Sequence, residues 1–223
     1  MAWDLLAEDF ADLTDWTDND WGNGVSAISP AGQLHQDTVD AASGTSGARI
    51  YQDIGSIGSG DFTAEFKVKF DRSLVTAGTG PIIFTFGGAT ENIWVRFSST
   101  ALLVYGSVYN TGITKTWALD TWYTIRIIIH NSQTDADFYL DGVEQNTDVD
   151  CANSLTVDDG LCYIRSGNND TRQEWHTDYL YIGSGQQVPS TTSIKKVSGV
   201  AHASIKEVSG VAIASVSKIA GIE

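Results

Sequence analysis

Hydrophobic and polar residues alternate with a period of two over much of this chain, which is the pattern of a half-buried β-strand. The clearest case is Phe62–Phe70, where Phe, Ala and Val occupy the even positions and Thr, Glu and Lys occupy the odd ones. One face of this strand is predicted to be buried and the other to contact water. No long segment shows the 3.6-residue period of a helix.

Short runs of the same kind recur along the first 185 residues, separated by Gly, Asn, Asp and Ser. They predict strands at Arg49–Ile54, Phe62–Phe70, Pro81–Phe86, Asn92–Ser98, Leu102–Tyr109, Trp122–His130, Asp137–Asp141, Leu161–Arg165 and Tyr179–Ile182. The Asp-Gly pair at the end of one run predicts a hairpin turn. Many short strands joined by such turns indicate an all-β fold, an antiparallel two-sheet sandwich.

Residues 194–223 form an eleven-residue repeat. The segments 194–204 and 205–215 share the pattern Ile-Lys-x-Val-Ser-Gly-Val-Ala-x-Ala-Ser, and a partial third copy follows. This period fits a right-handed helical supercoil, but the glycine and β-branched residues of each copy favour extended segments joined by Ser-Gly turns. Such short hairpins have too little core to be stable alone. We therefore expect an assembly tail, joined by a linker at 186–193, that associates with other copies of the chain or with a larger assembly.

Charge separates this tail from the preceding residues. The whole chain has a formal net charge of −15, but 191–223 carry four lysines against two glutamates, so the preceding part carries about −17. An acidic chain without basic clusters is unsuited to nucleic acid. No run approaches the roughly 18 apolar residues of a membrane span. The stretch Met1–Asp20 has no Lys or Arg, unlike a secretory signal peptide.

Six short segments in the first 185 residues follow one another in a recognisable order. They are Glu8–Trp16, Gly32–His35, Asp61–Phe66, Trp122–Ile127, Phe138–Gly142 and Asp178–Ile182. In this order they resemble the concanavalin A-like lectin/glucanase superfamily, particularly laminin-G-like jelly rolls. The resemblance implies a jelly-roll domain over 1–185 with two curved sheets, the concave one often used for sugars. It does not fix an activity, because the fold hosts lectins, hydrolases, lyases and structural modules.

The tail resembles the Lys-x-Val-x-Gly-Val-Ala repeats that close many tailed-phage virion proteins. Together with a jelly roll and the absence of a signal peptide, this resemblance implies a virion or extracellular surface location. The implied partners are other copies of the chain or virion proteins, which would be contacted through residues 194–223.

Two catalytic patterns of the superfamily are incomplete in this chain. Laminarinase-like members carry Glu-x-Asp-x-x-Glu, because retaining glycosidases need two carboxylates about 5 Å apart. The nearest segment, Asp135–Asp141, has Leu140 where the third acid belongs. Alginate-lyase relatives use Gln or His with Tyr and Arg, but Gln33-Leu-His35 lacks the matching motifs. We therefore name no catalytic residue and keep a polysaccharide-degrading enzyme with an atypical site as an alternative.

Sugar binding needs only an exposed aromatic ring with polar groups beside it. In Asn92–Ser98 the apolar row is Ile93, Val95 and Phe97, so Trp94 lies on the opposite, polar face. The alternative is that Trp94 packs beneath a loop or a neighbouring subunit. The tyrosines of the next predicted strand share one parity, and two further tryptophans fall in predicted loops. The predicted carbohydrate-binding residues are Asn92, Trp94, Arg96, Tyr105, Tyr109, Arg165 and Trp175.

The acidic N-terminus supplies hard oxygen ligands of the kind that Ca²⁺ prefers. Members of the superfamily often bind calcium through an acid near the first strand and an Asp in the last. By order along the chain, Glu8 and Asp178 match those positions. A solvated acidic loop is the alternative.

Cys151 and Cys162 are the only cysteines. A hairpin would bring them within disulfide distance, and a bridge would indicate an oxidising location. Two reduced cysteines are the alternative.

The sequence thus predicts a non-enzymatic, lectin-like or structural jelly roll displayed on a phage-like particle, with a polysaccharide or surface glycan as its partner. A purely structural capsid-decoration or filament subunit is the other alternative to the enzyme.

Overall fold

The computed structural model describes residues 3–38, 47–55, 60–74, 82–86, 93–105, 109–130, 133–151, 161–165, 172–187, 207–208 and 211–212. The chain divides into two compact units, Met1–Gln187 and Val188–Glu223. Within the described residues there is no helix long and apolar enough to span a membrane.

The first unit is built from antiparallel strands, with no helix among its described residues. The strands are β1 (Leu6–Glu8), β2 (Thr17–Asp18), β3 (Val25–Ile28), β4 (Leu34–Asp37), β5 (Arg49–Asp53), β6 (Phe62–Phe70), β7 (Ile82–Phe86), β8 (Ile93–Ser98), β9 (Ala101–Tyr105), β10 (Tyr109–Thr114), β11 (Trp122–His130), β12 (Asp135–Leu140), β13 (Val143–Asp150), β14 (Leu161–Arg165) and β15 (Glu174–Ser184).

These strands form two sheets. The eight-stranded sheet has the order β13-β12-β11-β6-β15-β4-β3, and β1 also pairs with β15. The seven-stranded sheet has the order β10-β9-β8-β7-β14-β5-β2. The predicted all-β, antiparallel two-sheet sandwich is therefore confirmed.

Aromatic side chains fill the space between the two sheets. Phe66 and Phe70 of β6 pack against Phe97 of β8, with ring centroids 6.2 Å and 4.9 Å apart. Trp117 adds an edge-to-face contact with Phe97 at 4.9 Å. The three phenylalanines are fully buried, and burial of each such side chain stabilises the fold by about 1.5–3 kcal/mol. The inner face of each sheet is thereby committed to the core, and functional side chains are left to the outer faces and the loops.

The predicted strand Leu102–Tyr109 is two strands in the structure. The chain reverses between β9 and β10, so that Tyr105 and Tyr109 face each other as register partners. The predicted strand Tyr179–Ile182 is part of the longer β15, whose first half carries polar residues that hide its alternation. The bounds of β6, β11 and β14 agree with the sequence prediction.

Four residues of the second unit are described. β16 (Glu207–Val208) pairs antiparallel with β17 (Val211–Ala212), and the two strands flank the Ser-Gly pair where the repeat predicts a turn. The remainder of the predicted tail, and the linker from Val188 onward, lie outside the described residues.

Both cysteines are free thiols buried in the core. Cys151 follows a strand of the eight-stranded sheet, whereas Cys162 lies in β14 of the seven-stranded sheet. The structure therefore has the reduced form, one of the two alternatives that the sequence left open. Burial, together with the charges of Asp135 and Asp150, raises the pKa of Cys151 to about 12. Burial also raises the pKa of Cys162.

Gly112 sits at a β-bulge in β10, where the register with β9 shifts by one residue. A Cβ atom at this position would overlap the ring of Phe138. We expect Gly112→Ala to lower the free energy of unfolding by about 1–3 kcal/mol, because an overpacked core must shift to accept the methyl group. Urea denaturation measures this change. Thr114→Ala, an exposed change on the same strand, is the control, and equal stability of the two variants would contradict the packing described.

We expect neither cysteine of the native protein to react with a thiol reagent at neutral pH, because the thiolate is the reactive form and both pKa values are raised. After denaturation without reductant, two thiols per chain should titrate, as in a sample reduced beforehand. A reductant should leave the melting temperature unchanged. Fewer than two thiols in the unreduced, denatured sample would mean that the cysteines are bridged.

Candidate functional site

The outer face of the seven-stranded sheet presents Trp94. Its neighbours Ile93, Val95 and Phe97 are buried in the core, at most 1% exposed. Because alternate residues of a strand point to opposite faces, Trp94 and Arg96 lie on the outer side. Trp94 is half-buried there.

The strand register places further aromatic residues level with Trp94 on the neighbouring strands. Trp94 pairs with Tyr105 on one side and with Thr85 on the other. Tyr105 in turn pairs with Tyr109, Thr85 pairs with Tyr163, and Tyr163 pairs with Tyr51. We call the set Tyr51, Tyr163, Trp94, Tyr105 and Tyr109 the aromatic row. Register partners occupy equivalent positions on neighbouring antiparallel strands, so the backbone positions of the row follow one another across six strands. The side chain of Tyr163 lies outside the described part of the chain.

Arginines form a second row beside the first. Arg165 pairs with Arg49 on one side and with Ile82 on the other, and Ile82 pairs with Arg96. The guanidinium carbons of Arg165 and Arg96 lie 5.2 Å and 5.6 Å from the Trp94 ring centroid, within cation–π range. Arg49 contacts the ring of Trp21 at 5.8 Å. We call Arg49, Arg165 and Arg96 the arginine row.

The arginine row concentrates positive charge on an acidic unit. It holds three of the nine Lys and Arg residues that precede the tail. Arg96 is only 6% exposed, so it holds the indole in place rather than offering its charge to a ligand. Arg165 and Arg49 are half-buried and keep part of their surface exposed. The arrangement can combine stacking on an aromatic ring with charge-assisted hydrogen bonds.

The structure brings only some of the predicted carbohydrate-binding residues together. Trp94, Arg96 and Arg165 come together on one face, and the backbone positions of Tyr105 and Tyr109 continue their sheet. The side chains of both tyrosines, and all of Asn92, lie outside the described residues. The prediction that Trp175 lies in a loop and binds sugar is wrong. Trp175 lies in β15 and is fully buried in the core. It therefore has no surface to offer a sugar.

Arg49 and Tyr51 were not predicted as site residues. The signal that indicates them is the alternation of β5, in which buried Ile50 separates them and leaves both on the outer face. This strand is short, and Tyr51 becomes informative only when the register places it in the aromatic row.

The histidines of the first unit are all on the other sheet. His35 lies in β4, His130 in β11 and His176 in β15. Since the chain has only one further histidine, in the tail, no imidazole is available to act as a base beside the aromatic row in the described strands.

These histidines sit in polar networks. Burial would lower the pKa of His130, but its hydrogen bond to Asp137 at 3.0 Å and the charges of Asp137, Asp135 and Asp148 outweigh burial and raise it. The pKa of His176 is lowered, mainly by burial, although the charge of Asp71 opposes the shift.

The carboxylates predicted to bind calcium have protein partners. Glu8 accepts hydrogen bonds from the backbone N–H of Phe10 at 2.6 Å and from the indole N–H of Trp16 at 2.8 Å. Asp178 pairs with the ammonium of Lys67 at 2.7 Å. Neither belongs to a cluster of metal-ligand side chains among the described residues. This donor set does not fit a calcium ion as it is arranged, so the Ca²⁺ prediction gains no support from it.

Comparison with known proteins finds no matching family model and no matching curated protein. Solved structures do match. A sialidase aligns with 81% of this chain at TM-score 0.62 and 12% identity, and the chain spans only 18% of that protein's length. A carbohydrate esterase from a Shiga toxin-encoding bacteriophage aligns with 82% of this chain and 98% of its own (TM-score 0.55, 11% identity). The alginate lyase AlgAT5 of polysaccharide lyase family 7 aligns with 80% of this chain and 98% of its own (TM-score 0.53, 15% identity). At such identities the likeness establishes a shared jelly-roll fold and no more.

Proposed function

We propose that the first unit binds carbohydrate on the outer face of its seven-stranded sheet, with Trp94 as the central stacking residue. The observation that carries this proposal is the half-buried indole of Trp94, held by two guanidinium groups and continued across the sheet by the aromatic row. Both arginines come from the row next to that of Trp94. A sugar stacked on the exposed part of the indole is expected to extend along the aromatic row, with Arg165 and Arg49 of the neighbouring arginine row beside it.

The sugar is proposed to be acidic. Arg165 and Arg49 bring partly exposed guanidinium groups to this face, and a guanidinium binds a carboxylate through two parallel hydrogen bonds. The acidity of the rest of the unit disfavours anionic chains elsewhere and so restricts where they bind. Structures of similar fold include an alginate lyase and a sialidase, whose names refer to carboxylate-bearing sugars. Uronate polymers and sialylated glycans are therefore the expected ligand class.

Binding is favoured over a lyase with an imidazole base, because the described strands bring no histidine to this face. A lyase of the same fold would need another base there, and a hydrolase would need two carboxylates. This alternative remains open to a direct assay.

Trp94→Ala is expected to weaken binding of an oligouronate by tenfold or more, because truncating a central stacking residue costs about 2 kcal/mol. Arg165→Gln is expected to reduce the preference for uronate over neutral glucan oligosaccharides. Isothermal titration calorimetry on alginate, polygalacturonate, sialylated and neutral oligosaccharides measures both effects. The matched control is Trp122→Ala, a half-buried tryptophan on the eight-stranded sheet that contacts Lys67.

Equal losses in the Trp94 and Trp122 variants, or no binding to any sugar of the panel, would contradict the proposal. Incubation of the same polysaccharides with the protein separates the alternative. Release of reducing ends, or the ultraviolet absorbance of unsaturated uronates, would replace binding with catalysis.

We also propose that the second unit attaches the binding unit to a virion or to other copies of the chain. The support is the eleven-residue repeat, the small size of the β16–β17 pair, and the fold shared with a bacteriophage esterase. A hairpin of this size lacks a core of its own, so association would stabilise it.

Truncation after Pro189 removes the proposed assembly tail, so the molar mass of the protein in solution is expected to fall to that of a monomer. Light scattering coupled to size-exclusion chromatography measures this for the truncated and full-length proteins. The same oligomeric state for both would exclude the tail as the assembly element.

A further inference from the structure

A pair of histidines on the outer face of the eight-stranded sheet has no part in the proposed sugar site. His35 of β4 and His176 of β15 are register partners, and their rings stack with centroids 4.7 Å apart. β15 also pairs with β6, and Asp71 follows the end of β6 directly. Three adjacent strands therefore bring two imidazoles and a carboxylate to one place.

The distances within this cluster suit a shared ligand. His35, His176 and Asp71 each offer one donor atom, and these three atoms lie within 4.8 Å of one another. Donor atoms of His35, Asp37 and Glu174 also lie within 4.8 Å of one another. His176 Nε2 lies 2.8 Å from Asp71 Oδ2. Small rotations of these side chains would therefore turn all three donors toward one centre.

The hydrogen bonding of His176 is incomplete. Its Nδ1 atom is buried and has no hydrogen-bond partner, although a buried polar atom is normally paired. The side chains of His176 and Asp71 are 12% and 18% exposed, so a ligand would be partly shielded from water. The ion pair between His176 and Asp71 alone leaves this nitrogen unexplained.

The neighbouring carboxylates have fixed roles. Asp37 is paired with Arg172. Glu174 is paired with Arg72 and Arg172, and its Oε1 lies 3.4 Å from His35 Nε2. Asp71 is paired with the ammonium of Lys69 at 2.9 Å. Asp71 is therefore the carboxylate that can release its lysine and bind a metal ion instead. Asp37 and Glu174 stay paired with arginines.

We propose that His35, His176 and Asp71 bind a divalent transition metal of the zinc class. Two imidazole nitrogens and one carboxylate oxygen form the ligand set that zinc takes when it keeps one open position. Calcium and magnesium prefer oxygen ligands alone, so they are excluded as the intended ions. This site is on the opposite sheet from the aromatic row, and it does not depend on the proposed sugar binding.

Titration calorimetry of the full-length protein with Zn²⁺, in a buffer free of chelators, tests the proposal. One ion per chain is expected to bind, and His176→Phe, which keeps the stacked ring but removes its nitrogens, should weaken binding by about tenfold or more. Lys69→Gln should bind Zn²⁺ more tightly, because the ammonium no longer competes for Asp71. This variant must be shown to be folded, because unfolding would expose the thiols of Cys151 and Cys162, which also bind Zn²⁺.

His130→Asn is the matched control, because His130 belongs to the other histidine–carboxylate cluster on the same sheet, with Asp135 and Asp148. It should leave the Zn²⁺ affinity unchanged. Circular dichroism checks that each variant folds, and Co²⁺ in place of Zn²⁺ should give visible absorption bands that disappear in His176→Phe. Absence of binding by the wild-type protein, or binding that is lost in the His130 variant and kept in the His176 variant, would overturn the proposal.

Discussion

The contact between Phe97 of β8 and the phenylalanines of β6 is the constraint on which the rest of the structure depends. It joins the two sheets at the centre of the core, with Phe70 and Trp117 each 4.9 Å from the ring of Phe97. Since side chains alternate along a strand, an inward Phe97 requires Arg96 and Trp94 to face outward. A shift of β8 by one residue would bury both and expose the phenylalanine, so the same contact that stabilises the sandwich also orients the candidate sugar site.

The two outer faces have different chemistry because the core takes the apolar residues of both sheets. The seven-stranded sheet carries the aromatic and arginine rows, with guanidinium groups against Trp94. The eight-stranded sheet carries the histidines of the first unit, together with several paired carboxylates. An acidic chain that gathers three arginines on one face and its histidines on the other provides two separate recognition surfaces on one scaffold.

Sequence alternation predicted much of this fold where a strand has one buried and one polar face, as in β6 and β11. The prediction from alternation failed where polar residues interrupt the pattern. Trp175 reads as a loop residue because His176 and Thr177 follow it, yet it is fully buried in β15. The turn between β9 and β10 was missed because Val108 and Tyr109, the second of which begins β10, prolong the apolar run of β9 in the sequence. Pairing between strands distant in sequence, such as that joining Tyr51 to Tyr163, cannot be inferred from local pattern, and the aromatic row becomes visible only through it.

The central claim is that an acidic sugar binds on the outer face of the seven-stranded sheet, against Trp94. Proton–nitrogen NMR of the indole N–H groups tests its location directly, because each of the seven tryptophans gives its own resonance. Titration with an oligouronate is predicted to shift the Trp94 resonance in a saturable manner and to leave that of Trp122 unmoved. A shift confined to Trp122, or no shift in any indole resonance, would contradict the account.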